Sequence, residues 1–467
     1  MRYKIWLSIL LVISFLTGCS LPLGNGKHEF QGNDKTETLG LTPDFSYEVK
    51  EQLPNVLINQ AGYLPTGNKV AILQGNDLEN VFYVYNKMTK EKVYTGTLKP
   101  DSLFKKQKEE SQEEVQMERK KENYLADFSK IDKPGTYYIY HPDLGYSYEF
   151  NINENVYNDL EKTLFFILEK ENTDTSLICY QVTCLLFAKE LYGQDSKELQ
   201  SVDLLCRQKI EKLLQAQDEV NGSVYADTEI AGRMKNKAAA QNQQYISLAA
   251  TAEFAGVMAM YAFGEKEQDR EFSKRCQDAA EKAYGYIQNS LDNVGYDAGY
   301  FAATHLYRLT GKAKYASAIQ QYVAMKEEQK SYTEYDFSLF GDYAYLTLPK
   351  GTKLEIGESL MKKVMSKAEE IALTGKRNSY YVSEKREYND IDGMLKDISM
   401  MSLVNYIITN HEYSTLLGNY VDYFLGRNPD NICFVTGHGT RNGKQEGPEI
   451  NEVNAALFYL LLQSVKN

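Results

Sequence analysis

The spacing of apolar residues changes period once along this chain, near Tyr157. Before that point they come in short β-branched and aromatic runs separated by turn residues: Val56–Asn59, Val70–Leu73, Val81–Tyr85, Lys92–Tyr94, Thr136–Tyr140 and Tyr146–Phe150. After it they recur every three to four positions and the strand signal fades. Short alternating runs suit half-buried strands, and the longer period suits helices with an apolar stripe. The order predicts two separately cored domains: a β-sandwich of about seven short strands over 54–153, then an all-α domain over 154–467. Inside the strand block, Lys105–Glu122 carries dense charge of both signs, which reads as a solvated loop or a protruding helical hairpin.

The helical part predicts helices over 157–170, 176–192, 196–216, 246–263, 267–290, 296–310, 312–327, 334–347, 354–374, 392–410, 412–426 and 449–465. Breaks at Gly193, Gly264, Gly311 and Asn410 end one helix and restart almost at once, as a C-cap feeding an antiparallel neighbour does. Helices paired in this way form hairpins, and six such hairpins close into an α/α toroid. An open solenoid competes, but the irregular hairpin lengths favour closure.

The N-terminus is organised differently. Arg2 and Lys4 precede an apolar run, Ile5–Phe15, too short to span a bilayer comfortably. Leu16-Thr17-Gly18-Cys19 follows. The layout is that of a bacterial secretion signal (1–19) whose end resembles a lipobox. Cys19 is then the lipidated first residue of the mature chain, which anchors it to the extracytoplasmic face of a bacterial cell membrane. Residues 20–53 read as a polar, flexible tether. The only Trp, Trp6, lies in the signal, so the mature chain relies on its 37 Tyr and 19 Phe.

A net charge of -12 argues against nucleic acid as a partner. Cys179, Cys184, Cys206, Cys276 and Cys433 lack metal spacing and sit in apolar helical patterns, so they read as small buried residues rather than a disulfide framework. Scattered His residues argue against a His-based metal site. The acidic loops leave room for a structural calcium ion without identifying its ligands.

Several motifs carry a family resemblance. Val56-Leu57-Ile58-Asn59-Gln60-Ala61-Gly62-Tyr63-Leu64-Pro65, Pro134–Ile139 and Phe150-Asn151-Ile152 resemble the immunoglobulin-like domain that precedes many family 9 glycoside hydrolases. Ala249–Ala255, Ala302–Gly311, Leu425-Gly426-Arg427-Asn428-Pro429, Phe434–Gly439 and Asn451–Leu457 are similar, in order, to that family's helical barrel. The resemblance implies an immunoglobulin-like β-sandwich followed by an (α/α)6 six-hairpin barrel. It also implies hydrolysis of β-linked glucan, cellulose-like or xyloglucan-type, by an inverting acid/base mechanism. The partner would be a polysaccharide or oligosaccharide.

The family's acid is a Glu in the final segment, and two residues compete for it. Glu452 matches the Asn-Glu-Val letters, whereas Glu449 matches the spacing after a one-residue deletion. On the expected helix, at i and i+3, they would share a face. The Asp-Ala-Gly-Asp base motif is missing from its place before the second helix; Glu169, Glu171 and Asp174 stand there instead, with Asp336, Asp390 and Asp392 as further carboxylates by position. Asp297-Ala298-Gly299-Tyr300 repeats half the motif in a later helix. Tyr245, Tyr388, Asp392, His438 and Arg441 are the substrate-binding candidates, and Tyr225, Tyr335, Tyr343, Tyr380 and Tyr381 are further aromatics expected near the barrel mouth. The family's His-containing sugar-contact run is replaced by Thr440–Gln445. Two functions therefore stay open at this point: glucan hydrolysis, and non-catalytic glycan binding or scaffolding.

Overall fold

The structure, a computed structural model, describes residues 54–101, 122–193, 197–234, 243–288, 293–348, 354–377, 379–383, 390–439 and 447–466. Cys19, the tether, most of the charged run, Tyr388 and Arg441 lie outside the described residues.

The strands are β1 (Val56–Leu57), β2 (Val70–Gly75), β3 (Phe82–Asn86), β4 (Lys92–Gly96), β5 (Lys99–Pro100), β6 (Glu122–Asp127), β7 (Gly135–His141), β8 (Gly145–Tyr146) and β9 (Phe150–Ile152). They form two antiparallel sheets, ordered β1-β2-β6-β5 and β4-β3-β7-β8, with β9 also on β7. Alternate residues of each sheet meet in one core: Val56, Ala71, Leu73, Phe82, Val84, Ala126, Ile139 and Phe150 are buried there. Tyr63 packs edge-on against Phe128 and Phe150 at 5.3 and 5.4 Å.

Two strand expectations change. Tyr146–Phe150 is not one strand. The Ser147 hydroxyl accepts the Ile139 N–H at 2.9 Å, so a side chain replaces a ladder bond and separates β8 from β9. β6 had no strand signal, since Glu, Asn, Ala and Asp are poor strand formers. Its pairing with β2 along its whole length, Val70 opposite Asp127 through Gly75 opposite Glu122, overrides that preference.

The barrel helices are α1 (Asn158–Glu169), α2 (Thr175–Tyr192), α3 (Lys197–Gln215), α5 (Leu248–Glu265), α6 (Arg270–Ile287), α7 (Tyr296–Thr310), α8 (Ala313–Ala324), α9 (Ser338–Leu346), α10 (Leu354–Gly375), α11 (Ile391–Ile407), α12 (His411–Phe424) and α13 (Ala455–Lys466). A short α4 (Thr228–Met234) lies between α3 and α5. Every second helix is internal. Ala250–Ala262 of α5 and Tyr296–Leu306 of α7 are buried at each position, and a helix apolar on all sides belongs inside. α6 instead buries one stripe, Phe272, Cys276, Ala279, Ala280, Ala283 and Ile287. Gly256 brings α5 and α7 close, because a Cβ there would collide with the Phe301 ring. Packing runs α11 to α13, α13 to α2, α2 to α5, α5 to α7 and α7 to α9. This is the inner ring of the (α/α)6 barrel.

Two helix starts are corrected. α9 begins at Ser338 rather than 334, because Asp336 takes a left-handed φ of 49° and its carboxylate accepts the Ser338 N–H at 3.1 Å. The last helix begins at Ala455 rather than 449. The Asn454 side chain accepts the Asn451 N–H at 2.9 Å, and that of Asn451 accepts the Val453 N–H at 2.8 Å. These local bonds hold a turn where helix was expected. Glu449 and Glu452 therefore do not share a helix face, nor do they start the helix.

Sandwich and barrel meet over buried polar groups. Asn59 donates to Asp422 at 3.0 Å, and Arg427 pairs with Asp422 at 3.2 Å. Arg427 also donates to the Val70 carbonyl at 3.1 Å and to the Asn419 side chain at 2.8 Å. Gln60 donates to the Asn431 carbonyl at 2.8 Å. The Leu425–Pro429 motif thus locks one domain to the other.

Candidate active site

The N-terminal ends of the inner helices gather at one end of the barrel, as the bonds between the segments that precede them show. Thr175 N donates to Ala226 O at 3.0 Å, and Ala226 N donates to Tyr245 O at 2.9 Å, linking the starts of α2 and α5. Tyr296 N donates to Ser331 O, linking α7 to the segment before α9. Asn454, just before α13, donates to Asp392 of α11 at 3.1 Å. Helix N-termini carry positive partial charge, which suits the carboxylates collected there.

Two adjacent cavities open at this end. The larger, about 520 Å³, is lined by Asp390, Ile391, Asp392, Pro448, Glu449, Asn451 and Asn454. The smaller, about 230 Å³, shares Asp392 and Asn454 and adds Tyr180, Glu334, Tyr335 and Lys396. Glu449 is exposed to the cavity and accepts a hydrogen bond from the Thr436 hydroxyl. Asp390 caps α11, accepting the Gly393 N–H at 2.9 Å. Asn454 is central: it bonds Asp392 through its amide nitrogen and the Glu449 segment through its oxygen.

Glu452 is half-buried. Its carbonyl accepts from Gln181 of α2 at 2.7 Å, and Gln181 in turn accepts from Lys209 of α3 at 2.8 Å. Burial lowers the Lys209 ammonium to about 8. This buried relay anchors the 447–454 segment to the α2–α3 hairpin.

Asp174 caps α2 through the Leu177 N–H at 3.0 Å. Its loop is pinned where Thr173 donates to Asp227 at 2.6 Å. Glu171 is exposed in the same loop. Tyr335 stacks on Tyr180 at 5.2 Å. Burial raises its phenol well above the ordinary range, and the charges of Asp174, Glu334, Glu253 and Glu452 add to that.

Sequence reading missed Glu253, which is 1 % exposed on α5. Burial, with the charges of Asp297 and Asp174, pushes its carboxyl up to about 8 despite bonds from Ser176 and Thr333. The sequence marked only a barrel helix over 246–263; nothing in the letters showed which carboxylates the Glu253 side chain would meet. Asp297 of the half motif is fully buried and accepts the N–H groups of Thr333 at 2.7 Å and Phe337 at 2.9 Å. It organises the loop before α9.

The remaining candidates are distributed. Tyr245 lies beside the Asp174 loop, joined to it through Ala226. The His438 imidazole bonds Thr163 of the outer helix α1 at 2.8 Å, and burial lowers its pKa; it lines neither cavity. Tyr225 is buried. Tyr343 is not at the mouth but inside the ring, against Phe187 and the Arg308 guanidinium. Tyr380 accepts from Gln74 of the sandwich at 2.9 Å. Among the described residues no group of three or more His, Cys, Asp or Glu is arranged to hold a metal ion.

Comparison with known proteins agrees with this architecture. Residues 176–446 match the model of glycosyl hydrolase family 9, and residues 51–145 match that of the cellulase N-terminal ig-like domain. Endoglucanase D of Acetivibrio thermocellus is 22% identical over 87% of this chain and 75% of its own length. A xyloglucan-specific endo-beta-1,4-glucanase of Bacteroides ovatus is 26% identical over 57% of this chain and 52% of its own. Among solved structures, a thermostable endoglucanase (D468A) from Alicyclobacillus acidocaldarius superposes with a TM-score of 0.65 at 19% identity, covering 83% of this chain and 85% of that one. A family 9 protein of Bacteroides ovatus gives 0.65 at 16% identity, covering 88% and 98%. With its sandwich, its ring of inner helices and a family match across most of the helical domain, this chain belongs to glycosyl hydrolase family 9.

Proposed function

We propose that this protein hydrolyses β-1,4-linked glucan, of cellulose or xyloglucan type, with inversion at the anomeric carbon. The cavity that brings Glu449 and Asp392 together carries the reading. Inversion needs one carboxylic acid to protonate the leaving oxygen and one carboxylate to activate water on the opposite sugar face. Glu449 is the acid, oriented by the Thr436 hydroxyl. Asp392 is the base, with Asn454 holding one of its oxygens. Asp174, which occupies the place of the family motif, is spent on capping α2 and lines neither cavity. Tyr180 and Tyr335 offer aromatic surface for a sugar ring.

The test is turnover of residues 20–467 on a panel of β-glucans and xyloglucan, with product anomer followed by NMR. Glu449→Gln and Asp392→Asn each lower kcat about 100-fold or more, whereas Asp174→Asn and Glu452→Gln keep most of it. Glu449→Gln alone retains activity on an aryl glycoside whose leaving group needs no proton. Loss of activity in Asp174→Asn, with Asp392→Asn active, moves the base to α2. Saturable binding by a wild-type protein without turnover makes the barrel a glycan receptor.

The same proposal places the protein on a membrane through lipidated Cys19. The support is the order of basic start, apolar run and Leu16-Thr17-Gly18-Cys19. Cys19→Ala then moves the protein from the membrane to the soluble fraction; retention of the variant in the membrane refutes the anchor.

A further inference from the structure

The outer face of the sheet β4-β3-β7-β8 departs from the usual pattern, in which an antiparallel sheet turns polar residues to water. The residues that alternate with core Phe82, Val84, Tyr137 and Ile139 are Tyr83 and Tyr85 on β3 and Tyr138 and Tyr140 on β7, with Tyr146 next to them on β8. The register sets Tyr83 opposite Tyr140, Tyr85 opposite Tyr138 and Tyr140 opposite Tyr146. Tyr85 and Tyr138 stack at 5.5 Å with 10° between planes, and Tyr83 and Tyr140 at 6.4 Å with 21°. Tyr146 touches Tyr138 and Tyr140, and is 62% exposed.

Cross-strand stacking stabilises a hairpin, but it does not require phenols over three adjacent strands or so exposed a ring as Tyr146. An exposed aromatic patch of this kind marks a binding surface. The bonds from β2 and residues 59–60 that hold the sandwich to the barrel come from outside this face.

Charge selects the occupant. The platform is built of phenols, with no carboxylate, ammonium or guanidinium among the five rings. The charges beside them are Lys92, 4.8 Å over the Tyr83 ring, and Lys87, which pairs with Glu149. An acidic peptide meets Lys92 at one edge of the platform and a Lys87 already paired with Glu149, too little counter-charge to select it, and a basic peptide meets only the Glu149 that Lys87 holds. A neutral ring with one C–H-rich face and a fringe of hydroxyls finds both an apolar surface and phenol hydroxyls to bond. We propose that this tyrosine face is a second glycan-binding surface, distinct from the barrel mouth, that takes a run of neutral β-linked sugar residues. The proposal does not need the barrel to be catalytic.

The test is retention of the full chain on insoluble cellulose and its retardation in gels containing soluble xyloglucan or hydroxyethyl cellulose. Tyr85→Ala/Tyr138→Ala and the exposed single variant Tyr146→Ala bind about tenfold more weakly, the loss expected for one or two aromatic contacts. Tyr85→Phe/Tyr138→Phe keeps most of the binding. Unfolding midpoint and action on, or affinity for, cellobiose-sized ligands at the barrel stay unchanged in Tyr146→Ala. Undiminished retention in a folded Tyr146→Ala and double-Ala protein overturns the proposal, as does a wild-type chain that no polymer retains. Sedimentation of the same variants distinguishes the other occupant: a wild-type dimer that Tyr146→Ala dissolves assigns the face to a second copy instead.

Discussion

Glu253 stands apart at the residue scale because it is a carboxyl buried beneath the barrel mouth with one oxygen, Oε2, unpartnered. Burial raises its folded pKa to about 8 from an ordinary value of 4.5. Below about pH 4.5 both folded and unfolded chains hold this proton, and the group costs nothing extra. Between 4.5 and 8 the unfolded chain releases it while the folded chain keeps it, so stability falls as pH rises. Glu253→Gln removes that slope. The variant is expected to match wild type near pH 4 and to exceed it by on the order of 4 kcal/mol at pH 8, read as urea midpoints across the range. A wild-type profile that stays parallel to the variant's would refute a protonated Glu253. The sequence placed this residue on a barrel helix through the resemblance of Ala249–Ala255. It gave no sign of the chemistry, because the partners Ser176, Asp297 and Thr333 come from other elements.

Among the elements, the 447–454 segment decides where Glu449, the proposed acid, stands. Its letters look like a helix start, with Glu449 and Glu452 in the first turns, and local composition favours that reading. Asn451 and Asn454 side chains outcompete the helix by bonding the backbone. The inner helices were legible as helices for the opposite reason: burial on all sides keeps them apolar along their length regardless of partner. β6 was not legible, since only its pairing with β2 makes it a strand. Asn454→Ala tests the segment. It removes bonds to both Asp392 and the Asn451 backbone, two residues from Glu449, and each lost bond costs about 1 kcal/mol. We expect a fall in kcat of about tenfold to 100-fold with a smaller change in KM, because the two carboxyls lose their mutual orientation. Gln181→Leu, which frees the Glu452 carbonyl, should act in the same direction and more weakly. A large rise in KM with unchanged kcat would show instead that Asn454 serves substrate binding.

For the whole molecule, the motif that most resembles the family turns out to be architectural. Leu425–Pro429 carries Arg427, 1% exposed, which ties β2 of the sandwich to Asp422 and Asn419 of α12. The sequence therefore spoke clearly about the fold and faintly about the reaction: buried interface residues must keep their letters to satisfy one another, whereas the mouth is built from loops that tolerate change. Burial lifts the Asp422 carboxyl to about 6, against the pull of Arg427. The Asn59 bond and the Lys69 charge pull in the same direction as Arg427. Arg427→Met should destabilise by about 3–5 kcal/mol, because it strands a buried carboxylate and frees the Val70 carbonyl. Asp422→Asn on top of it should recover part of that loss, since the leftover group is then neutral and still bonds Asn59. Calorimetry is the measurement, and it carries a second readout. If the interface couples the two cores, wild type melts in one transition and Arg427→Met in two, with the sandwich released first. A single unshifted transition in the variant would mean that the other interface contacts, among them the Asn59–Asp422 and Gln60–Asn431 bonds, hold the domains without help from Arg427.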